Sequence, residues 1–172
     1  MSDPDPLEIA TATAKPPPDL FRRACGQFAT GIAVLSTCDA LGRPHGMTIN
    51  SFTSLSLDPP LVMAAISKTS NLLLVFEQAG YFAINILGAN QQDVSDRFAR
   101  RMDDRFGVTQ WTAGCCGAPL IEGTLATLEC RTTDIIDAGD HRVLIGSVES
   151  ICINESGERP LLYFRGRYAG IE

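Results

Sequence analysis

Residues 44–66 read PHGMTINSFTSLSLDPPLVMAAI, and this stretch decides the fold. It is rich in Thr, Ile, Ser and Phe, types that suit a pleated, half-buried surface. Residues 44–57 read as one long or bent strand pair. Asp58, Pro59 and Pro60 break it, because proline offers no N–H to a ladder. Residues 61–66 then form an apolar strand. Upstream, residues 32–37 are β-branched and apolar, with a turn over 39–42. Downstream, residues 81–87, 124–136, 142–153 and 160–165 carry strand patterns, with turns at 138–140 and 154–158.

Helical spacing is confined to three places. Asp19 follows a run of prolines and is a good N-cap for a helix carrying Leu20, Phe21, Ala24, Cys25 and Phe28, closed by Gly31. A short helix over 70–78 ends near Gly80. An amphipathic helix over 90–102 places Val94, Phe98 and Met102 four apart. Residues 103–119, with the lone Trp111, read as loop. The strands are not separated by regular long helices, so a doubly wound parallel sheet is disfavoured. A mainly β chain, an antiparallel barrel with two or three short peripheral helices, is the expectation. The 172 residues suffice for one domain with a real core. Residues 1–18, rich in proline, read as a flexible or extended lead-in, and residues 19–172 as a single domain.

Composition narrows the function. A net charge of −6 argues against nucleic acid, which needs a basic surface. No apolar run is long enough to cross a bilayer, and the N-terminus lacks the pattern of a secretory signal. A cytoplasmic protein with reduced thiols is expected. The six cysteines form no C-x-x-C pair, and no histidine cluster completes a zinc site, so no metal is expected. Adjacent Cys115 and Cys116 read as loop thiols, a redox-active pair being the sharper alternative.

Two stretches and one histidine carry candidate chemistry. Ser67, Lys68, Thr69, Ser70 and Asn71 lie between an apolar strand and a helix, where hydroxyls, a lysine and helix N-terminal amides suit a phosphate. Ser70 as a plain N-cap is the alternative. In residues 46–54, Gly46 permits close approach of a backbone or a flat ligand. Asn and Thr there match the alternating donors and acceptors on a heteroaromatic edge; an edge strand with solvated hydroxyls is the alternative. His141, after Gly139 and Asp140, stands at a strand mouth, as a ligand-orienting group or a surface turn residue. No G-x-S-x-G elbow and no G-x-G-x-x-G turn occurs.

Six segments occur in order: FATGIAVL (28–35), the G-x-T-x-NSF-x-SLS pattern (46–56), DPPL (58–61), FAINIL (82–87), GDH (139–141) and LYFRGRY (162–168). Together they resemble the short-chain flavin reductase family, the reductase partners of two-component flavin monooxygenases. The resemblance implies an FMN-binding-type Greek-key split barrel acting as a homodimer, with flavin in a groove near the dimer interface. It implies that Thr48, Asn50 and Ser51, with Ile49 among them, touch the ring and ribityl chain. Ser67, Lys68 and Ser70, with Thr69 and Asn71, would lie at the phosphate. Asn85 would support the site, Phe98, Ala99 and Arg101 would cover the cofactor phosphate, and His141 would face the nicotinamide. Cys115 and Cys116 have no counterpart in these motifs.

The resemblance thus implies hydride transfer from NADH or NADPH to FMN or FAD, with reduced flavin leaving for a partner monooxygenase. Two other readings stand beside it. One is a flavoprotein that retains its flavin and reduces a ferric chelate or a cobalt corrinoid. The other is a flavin-binding sensor or carrier without turnover.

Overall fold

The computed structural model describes residues 15–102 and 104–171. Most of the expected lead-in, residues 1–14, lies outside the described residues. Helix α1 spans Pro18–Cys25 and is followed by strands β1 (Thr30–Gly31), β2 (Ala33–Cys38), β3 (Pro44–Ile49), β4 (Thr53–Leu57) and β5 (Pro60–Ser67). Helix α2 (Leu73–Ala79) leads into β6 (Tyr81–Ile86), then a 3-10 turn at Ala89–Gln91 and helix α3 (Gln92–Ala99). The chain ends in β7 (Trp111–Ala113), β8 (Pro119–Ile121), β9 (Ala126–Ala138), β10 (His141–Ile153), β11 (Leu162–Phe164) and β12 (Arg167–Ala169).

The main sheet has seven antiparallel strands in the order β3-β2-β6-β9-β10-β5-β4. Its two edges, β3 and β4, are consecutive in the chain and joined only by residues 50–52. A link from Ile49 to Thr53 reaches at most about 14 Å when fully extended. A flat sheet of this size would hold its edges about 29 Å apart. The sheet therefore curls until its edges meet, and residues 50–52 bridge the remaining gap. The expected strand pair over 44–57 is thus corrected. Two strands form there, but each pairs with a different partner, because the barrel is split between them.

One side chain stitches the split. Thr53 pairs with Met63, so a continued ladder would set Ser51 opposite Ala65. The Ser51 backbone leaves the sheet instead. Its hydroxyl donates to Ala65 O at 3.1 Å and accepts from Ala65 N at 3.0 Å. A single hydroxyl thereby satisfies both polar groups that the missing strand residue would have paired.

Alternation fills the interior. Ala33, Leu35, Val62, Ala64, Ile66, Phe82, Ile84, Cys130 and Leu144 point into the barrel, with Phe76 of α2 plugging it. Strand β2 is buried on both faces. Its Val34 joins an outer cluster with Leu87, Val94, Phe98, Phe106, Ile121 and Leu161 beneath α3. Gly46 on β3 is the close-approach point of this layer. A Cβ there would lie 2.9 Å from the Phe98 ring, so the glycine admits an aromatic side chain of α3 rather than a flat ligand.

Several element boundaries move. Helix α1 begins at Pro18, because proline fits a first turn, so Asp19 lies inside the helix and pairs with Arg22 at 2.9 Å. Helix α1 also stops at Cys25, short of Phe28. Helix α2 starts at Leu73, not Ser70, since residues 67–72 form turns in which Ser67 O accepts Ser70 N and Ser70 O accepts Leu73 N. Gly80 caps it in the left-handed region, φ 71°. Helix α3 ends at Ala99, where Arg100 turns extended and its carbonyl accepts the Arg105 guanidinium. The expected loop 103–119 contains β7 and the start of β8, whose two-stranded ribbon is too short to show a period.

Ser51→Ala should destabilise the fold by about 1–3 kcal/mol, since it strands the Ala65 N–H and carbonyl at the split. Urea unfolding checks this, and an unchanged midpoint would show that water replaces the stitch at no cost.

Candidate functional site

A groove runs along the split. Depressions of about 360 and 310 Å³ meet at Asn50 and Ile32. The first is bounded by β1 and β4, the second by Thr48, Ser95, Ala99, Tyr163 and Tyr168. Asn50 and Tyr163 also border a third hollow of about 480 Å³ under α1. The groove exists because residues 50–52 leave the ladder, so no strand covers this side of the barrel.

Its walls are held by hydroxyls. Thr48 Oγ1 donates to Ser95 O of α3 at 2.6 Å. Tyr168 OH donates to Asp96 Oδ1 at 2.8 Å and lies 3.0 Å from Ser95 Oγ, tying β12 to α3. Burial holds the Tyr168 phenol above its ordinary pKa, so it remains a donor at neutral pH. Thr48 and Ser51 thus spend their hydroxyls on the scaffold. Ile49 is buried in the barrel core, and its side chain belongs to the packing. Among the described residues, the Asn50 amide makes no hydrogen bond. It is exposed, at the meeting point of all three hollows. Thr30 Oγ1, on the groove wall, is buried and has no hydrogen-bond partner among the described residues. An exposed free amide and an orphaned hydroxyl beside an open, mainly apolar slot fit a flat heteroaromatic ligand with polar edges.

The second stretch lies close by in register. Ser51 holds Ala65, and β5 ends at Ser67, which pairs with His141 across the β5–β10 ladder. Lys68 N donates to Asp140 O at 2.9 Å, and Lys68 Nζ pairs with Asp137. That contact holds the Asp137 carboxyl below its usual range. Ser67 Oγ lies 2.9 Å from Thr69 Oγ1, and Ser70 Oγ accepts Leu72 N at 3.3 Å. The Asn71 side chain is exposed and makes no hydrogen bond among the described residues. His141 Nδ1 lies 2.7 Å from Asp140 Oδ1, and this contact lowers the Asp140 pKa. The tertiary structure therefore gathers Ser67, Lys68, Thr69, Ser70 and His141 at one end of the β5–β10 ladder. The helix N-terminus expected there lies three residues further on, so side chains and loop amides carry any anion site.

Three sequence candidates are placed differently. Asn85 is fully buried and lines none of these hollows. Its amide donates to Val34 O at 3.1 Å and Ser36 Oγ at 2.8 Å, and its carbonyl accepts Ile121 N at 2.8 Å. It fastens β8 onto β2. Phe98 is 1% exposed and stacks edge-on with Phe106 at 4.8 Å, so it supports α3 from beneath while Ala99 lines the groove. Arg101 is exposed beyond the end of α3. Sequence reasoning assigned no role to Tyr163, Tyr168, Ser95 or Thr30. The signal for the tyrosines was present in YFRGRY (163–168), a tight hairpin that sets Tyr163 opposite Tyr168.

Comparison with known proteins agrees with this geometry. A family model described as flavin reductase like domain matches residues 25–172. The reductase component of the flavin-dependent trigonelline monooxygenase of Acinetobacter baylyi is 47% identical over 148 residues, which is 86% of this chain and 47% of that protein. The chain thus spans about half the length of that relative. HsaB, a reductase subunit of a flavin-dependent monooxygenase of Rhodococcus jostii, is 42% identical over 90% of this chain and 78% of its own length. The crystal structure of a nitrilotriacetate monooxygenase component B from Mycobacterium thermoresistibile superposes with a TM-score of 0.86 at 42% identity, covering 90% of this chain and 86% of that one. The curled seven-stranded sheet, the groove at its split and these matches together show that the chain belongs to the family of flavin reductase like domains.

Proposed function

We propose that this chain is an NAD(P)H:flavin oxidoreductase that supplies reduced flavin to a partner monooxygenase. The observation that carries the proposal is the open groove at the split, with the free Asn50 amide where its hollows meet. Lys68 and His141 stand together at the end of the β5–β10 ladder, whose β5 strand Ser51 ties to the split. A bound flavin, FMN or FAD, would supply the hydride acceptor for NADH or NADPH. The chain's own residues bind and orient. Asn50 offers one donor and one acceptor to the ring edge. Lys68 exchanges its Asp137 partner for a phosphate, assisted by the Ser67, Thr69 and Ser70 hydroxyls. His141, braced by Asp140, positions the nicotinamide, and no side chain need act as a base. The groove is open rather than enclosed, which favours an exchanging flavin over a retained one.

We also propose that the groove is completed by a second copy of the chain. Helix α1 buries none of its residues, and Phe21 and Phe28 are 61% and 77% exposed. Both border the hollow that Asn50 and Tyr163 share. A two-fold partner covering this stripe would wall the groove. Sedimentation should show a dimer at micromolar concentration, and a fully active monomer would overturn the proposal.

Steady-state NAD(P)H oxidation with FMN, FAD and riboflavin tests the activity. Turnover with added flavin, from protein that is colourless as purified, is expected. A yellow protein that ignores added flavin would support a retained cofactor instead. In the same assays Lys68→Ala should weaken FMN, but not riboflavin, by about 10- to 150-fold, the value of a charge-assisted contact of about 1.5–3 kcal/mol. Equal losses would place Lys68 away from the phosphate.

His141→Ala should lower kcat/KM for NAD(P)H by about tenfold to a hundredfold, roughly 1.4–2.7 kcal/mol, with flavin affinity little changed. Asp140→Asn should give a milder form of the same defect. Stopped-flow flavin reduction reads both, and rates unchanged across nicotinamide concentrations would remove His141 from the site.

A further inference from the structure

The short turn between β7 and β8 lies against the outer face of β9, and none of its residues borders the groove. It is tightly built. Gly114 N donates to Ala118 O at 2.9 Å, Gly117 N to Gly114 O at 3.0 Å, and Cys38 Sγ to Gly117 O at 3.4 Å. The turn carries Cys115 and Cys116, and beneath it stands Glu129 of β9. Glu129 is only 4% exposed. Cys116 N donates to Glu129 Oε2 at 2.9 Å. A Cβ on Gly114 would lie 2.1 Å from that oxygen, so only glycine lets the turn close over the carboxylate.

A buried carboxylate ordinarily has a cationic partner, because desolvating the charge is costly. Glu129 forms no ion pair among the described residues. What faces it is a pair of thiols. The three donor atoms of Cys115, Cys116 and Glu129 lie within 4.8 Å of one another. The two sulfurs are 3.9 Å apart. Two zinc–sulfur arms of about 2.3 Å at the tetrahedral angle set their sulfurs about 3.8 Å apart. The turn thus holds the thiols at the spacing of two corners of a zinc tetrahedron.

We propose that Cys115, Cys116 and Glu129 form a binding site for one thiophilic divalent cation of the zinc class. Two thiolates and a carboxylate suit a borderline-soft d10 ion, and water completes the fourth position at the exposed side of Cys115. The ion supplies the positive charge that Glu129 lacks and clamps the turn to β9. The site is separate from the groove and does not depend on the proposed activity.

The test uses the full chain, reduced and freed of metal, with Co(II) as the spectroscopic probe and Zn(II) as competitor. One equivalent of Co(II) should give a thiolate-to-metal charge-transfer band that Zn(II) abolishes. The double variant Cys115→Ser/Cys116→Ser should lose the band and bind Zn(II) at least about tenfold more weakly, the loss expected from removing even an outer partner of a metal ligand. Glu129→Gln should weaken binding while retaining the band. Cys25→Ser/Cys152→Ser, which removes the exposed thiols elsewhere, should change nothing. Absence of the band from the native chain, or its persistence in the Cys115/Cys116 variant, overturns the proposal. Both cysteines lie on a surface turn, so their serine variants retain the core.

Discussion

The constraint on which the rest of this structure depends is the short link of residues 50–52 between the two edge strands of one sheet. A sheet of seven strands cannot lie flat when its first and last members are tied by so few residues. It must curl, and curling creates the closed interior that Phe76, Phe82 and Ile84 fill. The link is too short to extend the ladder and too polar to be buried. It leaves a seam, which the Ser51 hydroxyl fastens to Ala65. The same departure from the ladder exposes Asn50 and opens the groove. Fold closure and ligand access are therefore two consequences of one backbone feature.

The outer layer protects that seam from the other side. Gly46 gives up its side chain so that Phe98 can pack against β3. This seats α3, whose Ser95 carbonyl receives the Thr48 hydroxyl. Asn85 performs the corresponding task for β8, with a buried amide that uses its donors on β2 and its acceptor on β8. Polar groups buried with all their partners specify one arrangement, because any slip of the layer would strand them. Residues that resemble ligand contacts in the sequence are thus divided. Some face the groove, and others hold it open.

A charged cluster stands at the end of the β5–β10 ladder. Lys68, Asp137, Asp140 and His141 come from a strand end and a hairpin that the β5–β10 pairing sets side by side. Lys68 pairs with Asp137, and the His141 ring lies against Asp140. The pairs are exposed, so they hold little stability of their own and can exchange for a ligand's charge at small cost.

The amino-acid sequence alone determined the β character, the antiparallel class and most strands, since the apolar runs in 61–66 and 81–87 and the Asp-Pro-Pro break are local and need no partner. It also marked residues 48–51, 67–71 and 141 as the places where polar chemistry interrupts those patterns. The ordered motifs named the family, which the matched domain bears out. Which strand pairs with which was decided only in three dimensions. Strand β3 and strand β4 look like a hairpin in the sequence, yet loop closure and the burial of both faces of β2 place them at opposite edges. The roles of Thr48, Ser51, Asn85 and Phe98 were hidden for the same reason. A hydroxyl, an amide or a ring is equally suited to a ligand or to a buried carbonyl, and only the tertiary neighbours decide between them. Glu129 is the extreme case, a carboxylate in a strand whose relation to Cys115 and Cys116 exists solely because a turn folds back across the sheet.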